Sequence, residues 1–134
     1  MKTRLLFFLT ALAVSLASCS KIEVDARNKF TGRYEVEEYS YVTHSASYYD
    51  SRIRKLDNSE DEVTISNFYN ADIEVVAKVV GSRIYIPVQT VGYFEVEGQG
   101  TLSDNKINMA YTVIAEIGES VFEDELVSAM FKKF

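Results

Sequence analysis

Along most of the chain, apolar and polar residues alternate at every second position, and this alternation limits the possible folds more than any other feature. Between residues 107 and 115 every odd position is apolar, and 73–80 and 93–102 follow the same period. Successive side chains of a strand point to opposite faces, so this period predicts antiparallel strands with one buried face. The abundant Val, Ile, Tyr, Phe and Thr residues fit such a surface.

Turn-forming residues divide the alternation into eight segments with short connections, such as Gly81-Ser82 and the four residues 103–106. The predicted strands are 30–42, 47–56, 62–69, 72–80, 83–91, 93–102, 106–116 and 124–132. Consecutive short links make the topology a meander. The last segment also matches a helical stripe, but an eighth strand allows the sheet to close and removes its edges. The predicted fold is therefore all-β, an eight-stranded antiparallel up-and-down barrel.

The alternation also predicts which side chains fill the barrel. The inward positions are mostly medium to large: Tyr34, Val36, Ile53, Val63, Ile65, Ile73, Val75, Ala77, Val79, Ile84, Ile86, Val88, Phe94, Val96, Ile107, Met109, Tyr111 and Val113. No carboxylate occupies a predicted inward position, and no buried polar cluster is expected. Pro87 cannot donate to a ladder and predicts a bulge, a bend or an edge in the fifth strand.

A barrel of eight strands either is filled by side chains or holds one small ligand. A packed core is one interpretation of the inward set. The other is a small apolar pocket near Ala77, Gly98 and Gly100, where side chains are short, with Tyr34 or Tyr111 as a polar group that orients the ligand.

The first residues have the composition of an export signal. Lys2 and Arg4 precede a mostly apolar run over 5–17, which is too short to span a bilayer. The run ends Leu-Ala-Ser-Cys at residues 16–19 and resembles the lipobox of bacterial lipoproteins. The resemblance implies cleavage before Cys19 and acylation of its thiol and its new amine; the alternative is an ordinary signal peptide with an incidental cysteine. The predicted division is a signal peptide over 1–18, a lipidated N-terminus and tether over 19–29, and the barrel over 30–134.

Three acyl chains would anchor the protein stably to a membrane. Ser20 follows the cysteine where an Asp would indicate inner-membrane retention by analogy with enteric bacteria, so an outer-membrane lipoprotein of the cell envelope is expected. The periplasmic and the surface-exposed faces of that membrane both remain open. Catalysis or metal binding by Cys19 is excluded if its sulfur is a thioether.

A family resemblance agrees with this fold. The stretch Phe-Thr-Gly-Arg-Tyr at 30–34 resembles the Gly-x-Trp signature of the first lipocalin strand, with Tyr34 in place of the tryptophan. The ordered pieces 63–68, 84–89, 98–100 and 107–111 resemble the small calycin-like lipoproteins of Bacteroidetes. The resemblance covers about residues 30–132. It implies an eight-stranded up-and-down barrel and brings no catalytic residues with it.

The charge and the scarcity of ligating residues exclude several function classes. The net charge is −6, and it becomes −8 once Lys2 and Arg4 leave with the signal. An acidic surface argues against nucleic-acid binding and against electrostatic docking on anionic lipid. His44 is the only histidine, no cysteine is free and no phosphate-binding glycine loop occurs, so neither a metal nor a cofactor is expected. The protein is not expected to be an enzyme.

A group of aromatic residues surrounds the tip of the first hairpin, 43–47. Tyr41, His44 and Tyr48, with Tyr39 and Tyr49 beside them, form a candidate recognition loop, because rigid tyrosine rings bind with little loss of entropy. Cross-strand pairs that only hold the hairpin explain the same residues.

The sequence therefore predicts a lipid-anchored envelope protein whose barrel binds a small apolar or amphipathic ligand. The alternative is a solid-core structural or interaction protein whose loops bind a protein or a glycan, for example a protease inhibitor.

Overall fold

Buried and exposed side chains alternate along the strands of the structure, a computed structural model that describes residues 24–134. The strands are β1 Gly32–Ser40, β2 Ser45–Lys55, β3 Glu62–Phe68, β4 Ile73–Val80, β5 Arg83–Val91, β6 Phe94–Ser103, β7 Lys106–Ile117 and β8 Ser120–Lys133. A short 3₁₀ helix, Ala26–Lys29, precedes them. The predicted signal peptide and Cys19 lie outside the described residues.

Each strand pairs antiparallel with the next, and β8 returns to pair with β1 from Tyr34↔Lys133 to Ser40↔Val127. This closure confirms the predicted all-β, eight-stranded up-and-down barrel, which is consistent with a calycin-like fold. It also confirms that the last segment is a strand rather than a helix. Closure satisfies the backbone groups that an edge strand would leave unpaired. Among the described residues, no helix combines the length and the hydropathy needed to cross a membrane.

Two of the predicted turns have the geometry that their residues favour. Gly81 has a φ of 60° in the two-residue connection between β4 and β5. Asp104 and Asn105, with φ of 50° and 61°, connect β6 and β7. Positive φ at the turn matches the twist of the flanking strands, and Asn and Asp adopt it more readily than other residues with side chains.

The irregularity predicted from Pro87 is present. The register between β5 and β6 shifts between Ile86 and Gln89. On the opposite side of β5, beyond the last backbone pair with β4, Lys78↔Tyr85, the Gln89 side chain contacts β4: its Oε1 accepts from the Val76 amide at 2.8 Å and its Nε2 donates to the Val76 carbonyl at 2.7 Å. The shift turns Val88 outward, where it is 62% exposed, so its predicted inward position is wrong.

The two ends of the barrel differ in how they are covered. At the end where β1 begins, called the closed end, the 3₁₀ helix places Phe30 inside the barrel. Arg27 fastens this helix, because its Nη1 donates to the carbonyls of Ser59 at 2.6 Å and Glu62 at 3.1 Å. The opposite end, called the open end, carries the connections 41–44, 69–72, 92–93 and 118–119.

The core between the ends is mainly apolar. It contains most of the predicted inward set, and six aromatic or aliphatic side chains outside that set join it: Phe30, Tyr49, Phe68, Val127, Ala129 and Phe131. Ile73 and Phe94, which were also predicted inside, are half-buried next to the open end.

Candidate functional site

Two carboxylates are buried inside the barrel near the open end. Glu38 on β1 is 5% exposed and Asp124 on β8 is fully buried. The prediction that no carboxylate faces the interior is therefore wrong. Glu38 continues the inward series of Tyr34 and Val36, so strict alternation identifies it. Asp124 could not be identified in this way, because a register shift in β8 displaces the alternation there.

Tyrosine hydroxyls surround the Glu38 carboxylate. The Tyr49 hydroxyl donates to its Oε2 at 2.5 Å, and the Tyr111 hydroxyl donates to the same oxygen. Tyr49 and Tyr111 lie on β2 and β7, so three strands contribute to this contact. Two donors on one oxygen are the arrangement that satisfies a buried acceptor without water.

The second carboxylate has its own donors. The Ser40 hydroxyl donates to Oδ1 of Asp124 at 2.7 Å, and the Tyr69 hydroxyl donates to Oδ2 at 2.7 Å. We call Glu38, Ser40, Tyr49, Tyr69, Tyr111 and Asp124 the tyrosine–carboxylate network. Among residues 24–134, no buried side-chain nitrogen or oxygen lacks a hydrogen-bond partner.

Aromatic rings pack around the network. Phe68 lies 4.5 Å from the Tyr111 ring, and Tyr69 lies 6.3 Å from Phe94 and 6.4 Å from Tyr111, measured between centroids. Phe68 is fully buried, whereas Tyr69 and Phe94 are half-buried. Tyr69 therefore connects the outside of the open end to the Asp124 carboxylate.

Burial is the main cause of the pKa shifts of Glu38 and of the three tyrosines in the network. Burial raises the pKa of Glu38, the negative charge of Asp124 adds to the rise, and the hydrogen bonds from Tyr111 and Tyr49 oppose it. Burial also raises the pKa of Tyr49, Tyr69 and Tyr111 above the usual value. The hydroxyls of all three tyrosines consequently remain protonated donors at neutral pH.

Charge is divided between the two halves of the barrel. In the half nearer the open end (37–50, 66–76, 88–98 and 112–126) the charged residues are acidic: Glu37, Glu38, Asp50, Asp72, Glu74, Glu95, Glu97, Glu116, Glu119, Glu123, Asp124 and Glu125. Every Lys and Arg within residues 24–134 lies in the other half. The network therefore has no cationic side chain near it in the described part of the chain.

The residues predicted to bind a ligand do not form one site. Tyr34 lies at the closed end, where its hydroxyl donates to the Phe30 carbonyl at 2.6 Å and its ring packs edge-on against Phe131. Tyr111 lies in the network at the open end. Ala77 is a buried core residue on β4, paired with Val63.

The two predicted glycines allow β6 to approach its neighbours closely. A Cβ at Gly98 would lie 2.4 Å from the Cβ of Tyr111, and one at Gly100 would lie 2.7 Å from the Cγ of Met109. The space that these glycines leave is thus occupied by β7 side chains. Gly98 also borders a groove of about 330 Å³ on the outer wall, beside Tyr85 and Leu126.

The predicted recognition loop lies at the open end. The connection spans 41–44, and residues 45–47, which were predicted as part of its tip, belong to β2. Tyr41 and Tyr48 are 50% and 67% exposed, and His44 is exposed at a φ of 54°. Tyr41 packs edge-on against Tyr39 at 4.8 Å. Tyr49, placed beside this loop by the sequence, instead faces the interior.

No family model matches the chain, and no curated protein or solved structure matches it either. Within residues 24–134, no group of three or more His, Cys, Asp or Glu side chains is arranged to hold a metal ion.

Proposed function

We propose that this chain is a lipid-anchored, outer-membrane protein of the cell envelope that binds one small amphipathic ligand at the open end of its barrel. The observation that carries the proposal is the pair of buried carboxylates, Glu38 and Asp124, without a cationic partner among the described residues. Apolar side chains of similar size would stabilise the interior at less cost than buried acids. A buried polar network of this kind is typical of a functional site.

The chemistry of the network defines the ligand. Its polar end carries a positive charge, because both acids accept hydrogen bonds and no cationic side chain among the described residues lies near them. Tyrosine and phenylalanine rings stabilise such a cation further. Its apolar part contacts Tyr69 and Phe94 at the rim, and displacement of the Tyr69 hydroxyl opens Asp124 to the ligand.

Binding rather than catalysis is the proposed activity. The carboxylates are engaged by hydroxyl donors, and the tyrosines hold their protons at neutral pH. The network therefore supplies neither a free general base nor an activated nucleophile. The resemblance to small calycin-like lipoproteins of Bacteroidetes supports the envelope location, as does the lipobox-like sequence before Cys19.

Three single-chain amphiphiles of equal length test the ligand class: dodecylammonium, dodecanoate and dodecanol. Calorimetric titration is expected to show saturable binding of dodecylammonium at one site and weaker binding of the other two. Glu38→Gln and Asp124→Asn should each weaken the binding of dodecylammonium at least tenfold. Glu123→Gln, which removes an exposed charge beside Asp124, is the matched control. Equal affinity for all three amphiphiles, or equal loss in the control, would overturn the proposal.

Two further measurements address the natural state of the protein. Native mass spectrometry of the mature protein should show one additional small mass that is lost in Asp124→Asn. Labelled palmitate should be incorporated into the wild type and not into Cys19→Ser. Absence of label from the wild type would contradict the anchor without affecting the ligand site.

A second candidate function is favoured by the packing around Gly98 and Gly100, which fills the predicted interior pocket. In this alternative the barrel is a solid scaffold, and the exposed Tyr41, His44 and Tyr48 bind a protein or a glycan. Tyr48→Ala would then abolish partner binding, whereas Asp124→Asn would leave it unchanged.

A further inference from the structure

Six basic side chains form an arc around the closed end, from β5 through β7 and β8 to the start of β1. We call them the basic arc: Lys29, Arg33, Arg83, Lys106, Lys132 and Lys133. The register places Lys106 directly opposite Lys132 on the outer wall. Glu35 and Asp104 are the acidic residues within the same arc, so it carries a clear positive excess.

Five of the six side chains of the basic arc are exposed, and Lys133 is half-buried. On the other side of the closed end, three basic groups are held in ion pairs: Arg27 and Lys55 contact Asp25 at 2.8 and 3.1 Å, and Lys78 contacts Asp61 at 3.2 Å. Arg52 and Arg54 on β2 are exposed and form no ion pair within residues 24–134, and Arg52 lies opposite Arg33 of the arc. Within the arc, the ion pair found among residues 24–134 is Arg33 with Asp50, at 3.9 Å between two exposed side chains. An exposed pair at that distance contributes little.

Exposed apolar side chains accompany the arc. Phe134 is 74% exposed and lies under the Arg33 guanidinium, 5.4 Å from ring centroid to Cζ. Val80, 56% exposed, pairs with Arg83 at the turn between β4 and β5. Basic groups beside exposed apolar ones are typical of surfaces that bind the headgroup region of a bilayer.

The position at which the chain enters the barrel also places the closed end nearest the membrane. Residues 24–29 enter the barrel at the closed end, and Cys19 precedes Val24 by five positions. A chain of five residues reaches at most about 18 Å. An anchor at Cys19 therefore holds the closed end, and not the open end, close to the membrane.

We propose that the basic arc binds the phosphate groups of an anionic lipid bilayer, so that the closed end lies on the membrane and the open end faces away. The binding of the basic arc to lipid phosphates goes beyond the proposed function and does not depend on the lipid anchor at Cys19. The orientation of the acylated protein on the membrane rests on that anchor.

The net charge of −8 does not oppose this contact, because the half of residues 24–134 nearer the closed end carries eleven Lys and Arg against seven Asp and Glu. β1 has nine residues, which is roughly 30 Å of strand and, at the usual tilt of a barrel, roughly 20 Å of height. The Debye length at physiological salt is about 8 Å. A membrane at the closed end is thus screened from most acids of the open half.

The test uses the chain from residue 19 onward with Cys19→Ser, which retains every described residue and has no acyl chain. Sedimentation with vesicles of phosphatidylcholine alone is compared with sedimentation with an equal mixture of phosphatidylcholine and phosphatidylglycerol. Binding is expected with the mixture only, and it should disappear at about 0.5 M salt, where screening shortens the range of the charges.

Matched variants identify the surface. Each basic group near an anionic bilayer contributes about fivefold in binding, so the pair Lys106→Gln with Lys132→Gln should weaken binding about 25-fold. The control pair, Lys55→Gln with Lys78→Gln, removes the same charge from the ion-paired side and should weaken binding less than about twofold. Equal losses in both pairs would overturn the proposal. Binding to soluble polyphosphate without binding to vesicles would overturn it in favour of a polyanionic partner.

A second measurement reports the orientation. Nitroxide labels at Ser82→Cys, in the closed-end turn, and at Ser45→Cys, at the open end, are compared on the anionic vesicles. The label at residue 82 should be protected from a water-soluble relaxation agent and the label at residue 45 should not. The reverse pattern would overturn the orientation, and failed palmitate labelling would contradict the anchor alone.

Discussion

The closed and open ends of the barrel are built from the same eight strands but differ in the interactions that fill them. At the closed end, Phe30, Tyr34 and Phe131 pack together inside the barrel. The buried Tyr34 hydroxyl there donates to a neutral carbonyl. At the open end, Glu38 and Asp124 occupy interior positions and accept hydrogen bonds from hydroxyls. The first arrangement favours stability. The second lowers the stability of the barrel, and its buried polar groups can provide binding specificity.

The largest difference is expected for loss of a ring. Phe131→Ala removes a fully buried side chain from the closed end and should lower the free energy of unfolding by about 3–5 kcal/mol. Phe122→Ala makes the same change on the same strand, β8, at the open end, where the ring is 41% exposed, and should cost less than half as much. Denaturant unfolding measures both. Equal losses would show that the ends are packed alike.

An intermediate effect is expected for loss of a hydroxyl. Tyr111→Phe removes a donor to a buried carboxylate and should cost about 1.5–3 kcal/mol at neutral pH. Tyr34→Phe removes a donor to a neutral carbonyl and should cost about 0.5–1.5 kcal/mol. Chemical denaturation at constant pH compares the two variants. A larger cost at residue 34 would contradict a charged Glu38.

The two ends should respond to pH with opposite sign. The raised pKa of Glu38 gives stability that is fully present below its unfolded value of about 4.5 and is lost as the pH rises through the folded value. The hydrogen bonds from Arg27 lower the pKa of Asp25, so its contribution is present above the unfolded value and is lost as the pH falls through the folded value.

Melting temperatures measured from acidic to neutral pH separate these contributions. Glu38→Gln should remove part of the decline toward neutral pH, and Asp25→Asn should remove part of the decline toward acidic pH. Identical pH profiles of the two variants would contradict the opposite pH dependence of the two ends.

The smallest effect is expected on the outer surface of the open end. Tyr48→Ala removes a ring that is 67% exposed and should change the free energy of unfolding by less than about 0.5 kcal/mol. Thermal melts of this variant beside Tyr49→Ala, which removes the adjacent buried ring, contrast the two faces of β2. A similar loss for both would contradict the register of that strand.

The fold could be predicted from the sequence because alternation and turn chemistry are local. Gly81, Asp104 and Pro87 each act within a few residues of their position, and the structure agrees with what each one predicts. Val88 was misplaced because the bulge beside Pro87 shifts the alternation from Ile84 and Ile86 to Gln89 and Val91 for the rest of the strand. A period-two pattern carries no information about such a shift.

The site was harder to predict because it is formed by residues distant in sequence. Glu38 and Tyr111 are 73 positions apart, and Ser40 and Asp124 are 84 apart. Their partnership depends on the closure of the barrel between β1 and β8. In the sequence, Asp124 is flanked by Glu123 and Glu125, so that it reads as part of a solvated acidic run.

The pairing of β1 with both β2 and β8 has a mechanical consequence. A pulling force transmitted through the residues before Val24 acts first on the 3₁₀ helix that Arg27 fastens and then on the start of β1. Extraction of β1 must then break two hydrogen-bonded ladders, one with β2 and one with β8. We expect the barrel to resist unfolding by a force applied at its N-terminal side more strongly than a sheet with a free edge strand would.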